Sequence, residues 1–336
     1  MHFKERLLLL DNKSITLEAM KLNQKTKTVI TILVVSSLAL GLIWVFDQQM
    51  DSRSAHVSQK AIEDQTDKAI PYENVLGMIA PHKALYSMSL SEIHAGSPIT
   101  ELLGEMFFKW EDTCDAWSTD HRFTIDYFYT DRPSISVTSH FVAWEDKTGN
   151  RIQFVSEGYT DGVLDEKTRG EARRLDDGTG DVNYQEPQGM TFELGKNFFF
   201  PAQHTVATIH NALEGKNFFN AVMFDGTDQE GPSEVNVFIE QPAMQNFPVA
   251  RYTDNPAVDT DLLKTPSWNT RLAFYPQQGE GSDLSTPAYE MMVRLHQNGV
   301  VSDIVIEYDS FSVRQSLVAL SALPQAECQN NKNGAF

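Results

Sequence analysis

Residues 289–308 read YEMMVRLHQNGVVSDIVIEY. Tyr289, Met291, Val293 and Leu295 recur at every second position, the period of a half-buried strand. Asn298-Gly299 interrupts the run, after which VVSDIVIEY returns. Asn-Gly suits a type I′ turn, whose two central residues both need positive φ, so this stretch predicts an antiparallel hairpin. The same alternation appears far upstream. In HKALYSMSL, Ala84, Tyr86, Met88 and Leu90 share one face while Lys83, Ser87 and Ser89 take the other. In RFTIDYFY the aligned residues are Phe123, Ile125, Tyr127 and Tyr129, and in WNTRLAFYP they are Trp268, Thr270, Leu272 and Phe274. RIQF, NAVMFDG and EVNVFIEQ add shorter strands. One short helix breaks the series, since Val206, Ile209 and Leu213 follow a helical stripe in PAQHTVATIHNALEGK and Gly215-Lys216 stops it. Many strands with short turns and no alternating long helices predict one large all-β, mostly antiparallel domain over residues 71–328.

Outside this domain the sequence predicts a membrane address. Val29–Phe46, VITILVVSSLALGLIWVF, is apolar and uncharged, with Lys21, Lys25 and Lys27 before it. Crossing the hydrocarbon core takes about 20 residues with a lower limit of roughly 17, so the segment suffices as a transmembrane or signal-anchor helix. A cleaved signal peptide shares its charged start, but such signals carry shorter apolar regions and end at a small-x-small site, and no Ala-x-Ala follows Phe46. The lysines keep residues 1–28 cytoplasmic as a leader and send the rest across the membrane under either reading. Met20 makes a more ordinary start than Met1 for such a segment. Residues 47–70 read as a polar linker and 329–336 as a disordered tail.

The chain of 336 residues carries 27 basic and 46 acidic side chains. Residues 1–46 hold 6 of the bases and 3 of the acids, leaving 21 against 43 beyond them, a net of −22. Nucleic-acid binding needs a basic footprint and is excluded as an expectation, as is adhesion to anionic lipid head groups. A hydrophobic fraction of 41% is ample for a large core.

Two cysteines are present, Cys114 in DTCDAW and Cys328 in QAEC. They form no C-x-x-C motif and no zinc spacing. In an exported domain the oxidising compartment favours one intramolecular disulfide over two inert thiols. Such a bond would close nearly the whole domain as a clasp on the fold.

Motifs of catalysis are missing from the sequence: no G-x-S-x-G, S-x-x-K, H-E-x-x-H or phosphate loop occurs. His204 and His210 are six apart and do not share a helix face, while His82, His121 and His140 stand alone on or beside predicted strands. DDGTGDVNY lacks the ligand order of an EF-hand loop and reads as a solvated turn. No cofactor and no metal ligand set is expected. The aromatics Phe107, Trp110, Phe198, Phe199, Phe200 and Phe218 are denser than alternation needs. Core packing accounts for them, and an apolar groove at the mouth of an open barrel is the alternative.

HKALYSMSL, CDAW, FVAWEDKTGNRIQF, GEARRLDDGTGDVNYQEP, FFFPAQHTVATIHNALEGKNFFNAVMFDG, PAYEMMVRL with its NGV turn, and EYDSFSVRQSLVALSALPQAEC occur in this order over residues 72–328. Together they resemble the EipB family of alphaproteobacterial cell-envelope integrity proteins. The resemblance implies a periplasmic β-spiral of about fourteen antiparallel strands, an open barrel-like wrap, with Cys114 and Cys328 bonded. It brings no catalytic residues. The expectation is therefore a non-enzymatic periplasmic protein, held at the inner membrane by its N-terminal segment, that supports envelope integrity by binding a periplasmic protein partner. The alternative is a carrier or chaperone that takes an acyl chain or lipoprotein in an apolar groove.

Overall fold

The structure, a computed structural model, describes residues 71–276 and 286–328. The expected leader, anchor, linker and tail lie outside them. Among the described residues no helix is long and apolar enough to cross a membrane.

After a five-residue helix α1 (Tyr72–Leu76), eight strands follow one another as a meander: β1 (His82–Ile93), β2 (Ile99–Asp112), β3 (Ala116–Tyr129), β4 (Ile135–Asp146), β5 (Arg151–Thr160), β6 (Val163–Arg174), β7 (Gly180–Glu186) and β8 (Thr191–Leu194). The chain then places β9 (Phe198–Phe199) at the opposite edge of the same sheet and forms helix α2 (Pro201–Leu213). A second meander runs back through β10 (Phe218–Met223), β11 (Ser233–Ile239), β12 (Ser267–Pro276), β13 (Tyr289–His296), β14 (Val301–Glu307) and β15 (Phe311–Ala322), which pairs with β1. The result is one sheet of fifteen strands whose two edges are β8 and β9.

This order requires the sheet to roll up. Leu194 and Phe198 are four residues apart, so the chain holds the two edges within about 14 Å of each other. Their inward side chains share one core cluster: Val182, Phe192 and Leu194 from one edge pack with Phe198, Phe200 and Phe224 from the other. Hydrogen bonds do not join β8 to β9 in the strand order, so the barrel keeps a seam. All-β architecture and antiparallel pairing stand as expected, with one exception between named strands. The two-residue β9 pairs with β10 in parallel, through Val222–Phe198 and Met223–Phe199, and makes the count fifteen.

Periodicity placed the strands well. Ala84, Tyr86 and Met88 are buried on β1 while Lys83, Ser87 and Ser89 are exposed. The hairpin β13–β14 forms, but its turn is not type I′. Only Gly299 has positive φ, at 83°, and its N–H donates to the His296 carbonyl while the His296 N–H donates to Val300. This is a three-residue loop closing on a left-handed glycine. Asn298 turns its side chain inward, donating to the Leu262 carbonyl at 2.8 Å and accepting from the Val300 N–H, which ties the hairpin to the 3-10 turn Thr260–Leu263.

Candidate functional site

Helix α2 is set into the barrel by a contact made far away in sequence. Glu145, buried on the inner face of β4, accepts the backbone N–H groups of Ala202 at 2.8 Å and Gln203 at 2.7 Å. Phe200 at the N-cap has no side-chain acceptor to offer and Pro201 has no N–H, so Glu145 supplies the cap from another element. Burial pushes its carboxyl up to about 8, against the two N–H bonds that favour the charged form. The helix packs Ala202, Val206 and Ile209 on Val75, Ile79, Trp110 and Trp117, which plugs one end of the barrel.

The clasp is present. Cys114 and Cys328 form a disulfide with Cα atoms 5.5 Å apart and 214 residues between them in sequence. Cys114 sits in the β2–β3 turn with φ of 70°, and its N–H is held by the Asp112 carboxylate at 2.8 Å. Asp112 is in turn paired with Lys147 at 2.6 Å, whose ammonium lies over Trp117.

The histidines are tied into the packing. His82 is buried with Nδ1 on the Ala80 carbonyl, and His121 lies edge-on between Phe108 and Phe141. His204 is buried against Phe199 and Phe219, and His140 pairs with Asp120 at 3.2 Å. His210 lies edge-on to Tyr72 with its Nε2 3.7 Å from Glu214. Burial pushes His121 and His204 down to about 4, so both are neutral at pH 7.

Four carboxylates gather where the β10–β11 loop crosses the barrel. Gly226 offers its carbonyl to Thr168 at 2.8 Å and Asp228 its carbonyl to Tyr184 at 2.9 Å, binding the loop to β6 and β7. Burial raises Asp225 and Glu166, raises Glu230 to about 7, and with the Asp225 charge raises Asp228 to about 8. Among the described residues no group of acids, histidines and cysteines has the geometry of a metal site.

The six aromatics proposed for a groove do not converge. Trp110, Phe198 at 1% exposure and Phe200 at 0% belong to the core. Phe199 is half-buried against His204, and Phe107 lies on the outer face of β2, 5.9 Å from the Arg122 guanidinium. Phe218 is 49% exposed and meets Phe238, also 49% exposed, with ring centroids 4.8 Å apart.

Beside that exposed pair the outer surface is hollowed. A cleft of about 960 Å³ runs over β11 to β14, with Phe238, Arg271, Met292, Arg294 and Val305 among its walls. Its floor includes Ala273, outward-facing by alternation with the inward Leu272 and Phe274 yet only 2% exposed. Sequence reasoning named Phe218 but not the other residues of this face. The signal was available in NFFNAVMF, where Phe218 shares its face with Asn220 while Phe219, Ala221 and Met223 take the other.

A barrel-like fold is also what the comparisons return. The EipB-like family model matches residues 74–324, three-quarters of the chain. The chain belongs to the EipB-like family. Within curated proteins it is similar to the cell envelope integrity protein EipB of Brucella abortus (strain 2308), 26% identical over 243 residues, which cover 72% of this chain and 84% of that protein. A crystal structure of a beta-barrel-like protein of domain of unknown function DUF1849 from Brucella abortus superposes with a TM-score of 0.65 at 24% identity, covering 73% of this chain and 99% of the other. The EipB-like fold is thus shared across the described domain, as the sequence motifs implied.

Proposed function

We propose that this EipB-like protein is an exported, non-enzymatic factor that supports cell-envelope integrity by binding a partner protein on the outer cleft over β11 to β14. The observation that carries the reading is the cleft itself, a concavity of about 960 Å³ beside two rings, Phe218 and Phe238, left half-exposed. Exposed apolar surface beside a concavity is the usual mark of an interaction site. The envelope role comes from the relative named for it, and export from Val29–Phe46. The sheet edges are poor docking sites by comparison: β8 has four residues and β9 two, so added-strand pairing has little to work with.

Deleting the gene is expected to sensitise cells to detergent. Phe218→Ser with Phe238→Ser should fail to restore resistance although the protein is exported and oxidised normally. His204→Gln and His140→Ala should restore it. Full restoration by the double serine variant would refute the cleft as the working surface.

A second reading has one observation in its favour. Met106, Phe108, Met291 and Ile306 face inward and remain only partly buried, so the barrel interior offers apolar surface to an acyl chain. Lipid extracted in stoichiometric amount from purified protein would favour it.

A further inference from the structure

Resting on the cleft as the binding surface, we infer that its occupant is a polypeptide segment carrying a carboxylate, which pairs with Arg294 while an adjacent apolar side chain of the segment covers Phe238 and Met292.

Register fixes the layout. Phe238 stands opposite Arg271, Arg271 opposite Met292 and Met292 opposite Val305, in one row across four strands. Arg294 stands opposite Asn269 in the neighbouring row. Five charged side chains line the cleft, and four are already matched. Glu290 meets Arg271 at 3.4 Å, Asp303 meets Arg251, and Glu240 accepts from Asn269. Arg294 is half-buried and, among the described residues, is the one of the five with neither a hydrogen bond nor an ion pair. It feels Asp303 and Glu240 only at a distance, and burial lowers its affinity for the proton. A guanidinium that is partly desolvated and unmatched gains most from a carboxylate, which it can hold through two N–H groups at once.

The choice of a protein over a lipid surface follows from the surroundings. Residues 217–328 hold 15 acidic side chains and 5 basic ones, namely Arg251, Lys264, Arg271, Arg294 and Arg314. An extended anionic bilayer would be repelled by this half of the domain, whereas one carboxylate reaching into the cleft meets the local cation. Arginine, phenylalanine, tyrosine and methionine are also the residues enriched at protein interfaces, and Arg271, Arg294, Phe238, Tyr275 and Met292 supply that set.

The test uses the full chain in its own cells, with a photo-reactive benzoylphenylalanine in place of Phe238. Irradiation should capture a protein through a segment in which mass spectrometry finds Asp or Glu within a few residues of the linked position. Arg294→Glu and the charge-free Arg294→Met should each lower capture at least tenfold with the disulfide intact and the melting temperature unchanged, and Lys83→Ala should not. Changing the captured acidic residue to Lys should restore capture by the Arg294→Glu protein. Capture of a protein through a segment without a carboxylate, or undiminished capture by Arg294→Met, overturns the inference and leaves protein binding at the cleft standing. Capture of phospholipid or lipopolysaccharide with no protein overturns both.

Discussion

Glu145 and Ala202 are 57 residues apart in sequence, and a 2.8 Å hydrogen bond from the Ala202 N–H to the Glu145 carboxylate sets where α2 enters the barrel. Each meander is built from local hairpins, but this contact reaches from the first meander across to the start of the second. It makes the helix plug and the rolled sheet parts of one cooperative structure.

Removing that carboxylate should therefore cost more than an ordinary cap. Glu145→Ala leaves two helix N–H groups buried without acceptors, and each costs about 1–3 kcal/mol. Urea denaturation should show a loss of about 3 kcal/mol. Glu145→Gln retains one acceptor and should lose about 1 kcal/mol. Equal and negligible losses for the two would show that water already serves these groups.

Stability should fall as pH rises from about 6.5 to about 8. Glu145 and Asp228, held up to about 8 in the folded state, and Glu230, held up to about 7, have unfolded values near 4. They favour folding while protonated, so their contribution is complete below about pH 4 and is lost as pH climbs through the folded values. Buried His121, His204 and His296, each pushed down to about 4, act with the opposite sign: their contribution is complete above about pH 6.5 and is lost on going down to about 4. Of these six groups only the carboxylates change above pH 6.5. Melting temperatures at pH 6.5 and 8.5 should differ, and Asp228→Asn should shrink the difference by stabilising the protein at the higher pH alone.

The clasp should carry a large share of the stability. Closing a loop across 214 residues is worth about 5 kcal/mol as an upper figure in the chain-entropy model. Thiol labelling of unfolded, unreduced protein should find no reactive group on Cys114 or Cys328. Replacing both by serine should lower stability by about 3 kcal/mol, and two labelled thiols in the native protein would contradict the bond.

Much of this fold was legible, and the limits of legibility are physical. Strands such as β1 and β3 bury one face and so write their period into the sequence, and the stripe Val206, Ile209, Leu213 wrote that of α2. The seam wrote nothing comparable. Phe198, Phe199 and Phe200 looked like surplus aromatics because β9 is two residues long, and only the rolled sheet brings Phe198 and Phe200 against Leu194 and Val182. The turn at Asn298 departed from type I′ because a tertiary acceptor, Leu262, claimed its side chain. The cleft depends on which outward side chains leave Ala273 beneath them, a matter of sheet curvature that alternation does not encode.

Sheet closure around large rings leads to the last prediction. Gly170 on β6 lies where a Cβ would come within 2.6 Å of the Asn183 carbonyl oxygen and 2.8 Å of the Phe154 ring. Phe154 is buried and stacks edge-on against Tyr184 and Phe224, so it has no room to retreat. The backbone carbonyl of the neighbouring strand can yield only if β6 and β7 part. Gly170→Ala should consequently overpack the seam-side core and cost about 1–3 kcal/mol in urea denaturation. Gly158 on the adjacent strand β5 is the matched control, because a Cβ there meets nothing closer than 3.9 Å. Gly158→Ala should leave stability unchanged or raise it slightly by restricting the unfolded chain. Combining Gly170→Ala with Phe154→Leu relieves the ring contact but not the carbonyl contact, so the pair should lose less than the sum of the two single changes. If Gly170→Ala were as stable as Gly158→Ala, the close approach of β6 to the β7 backbone and to Phe154 would not describe the protein in solution.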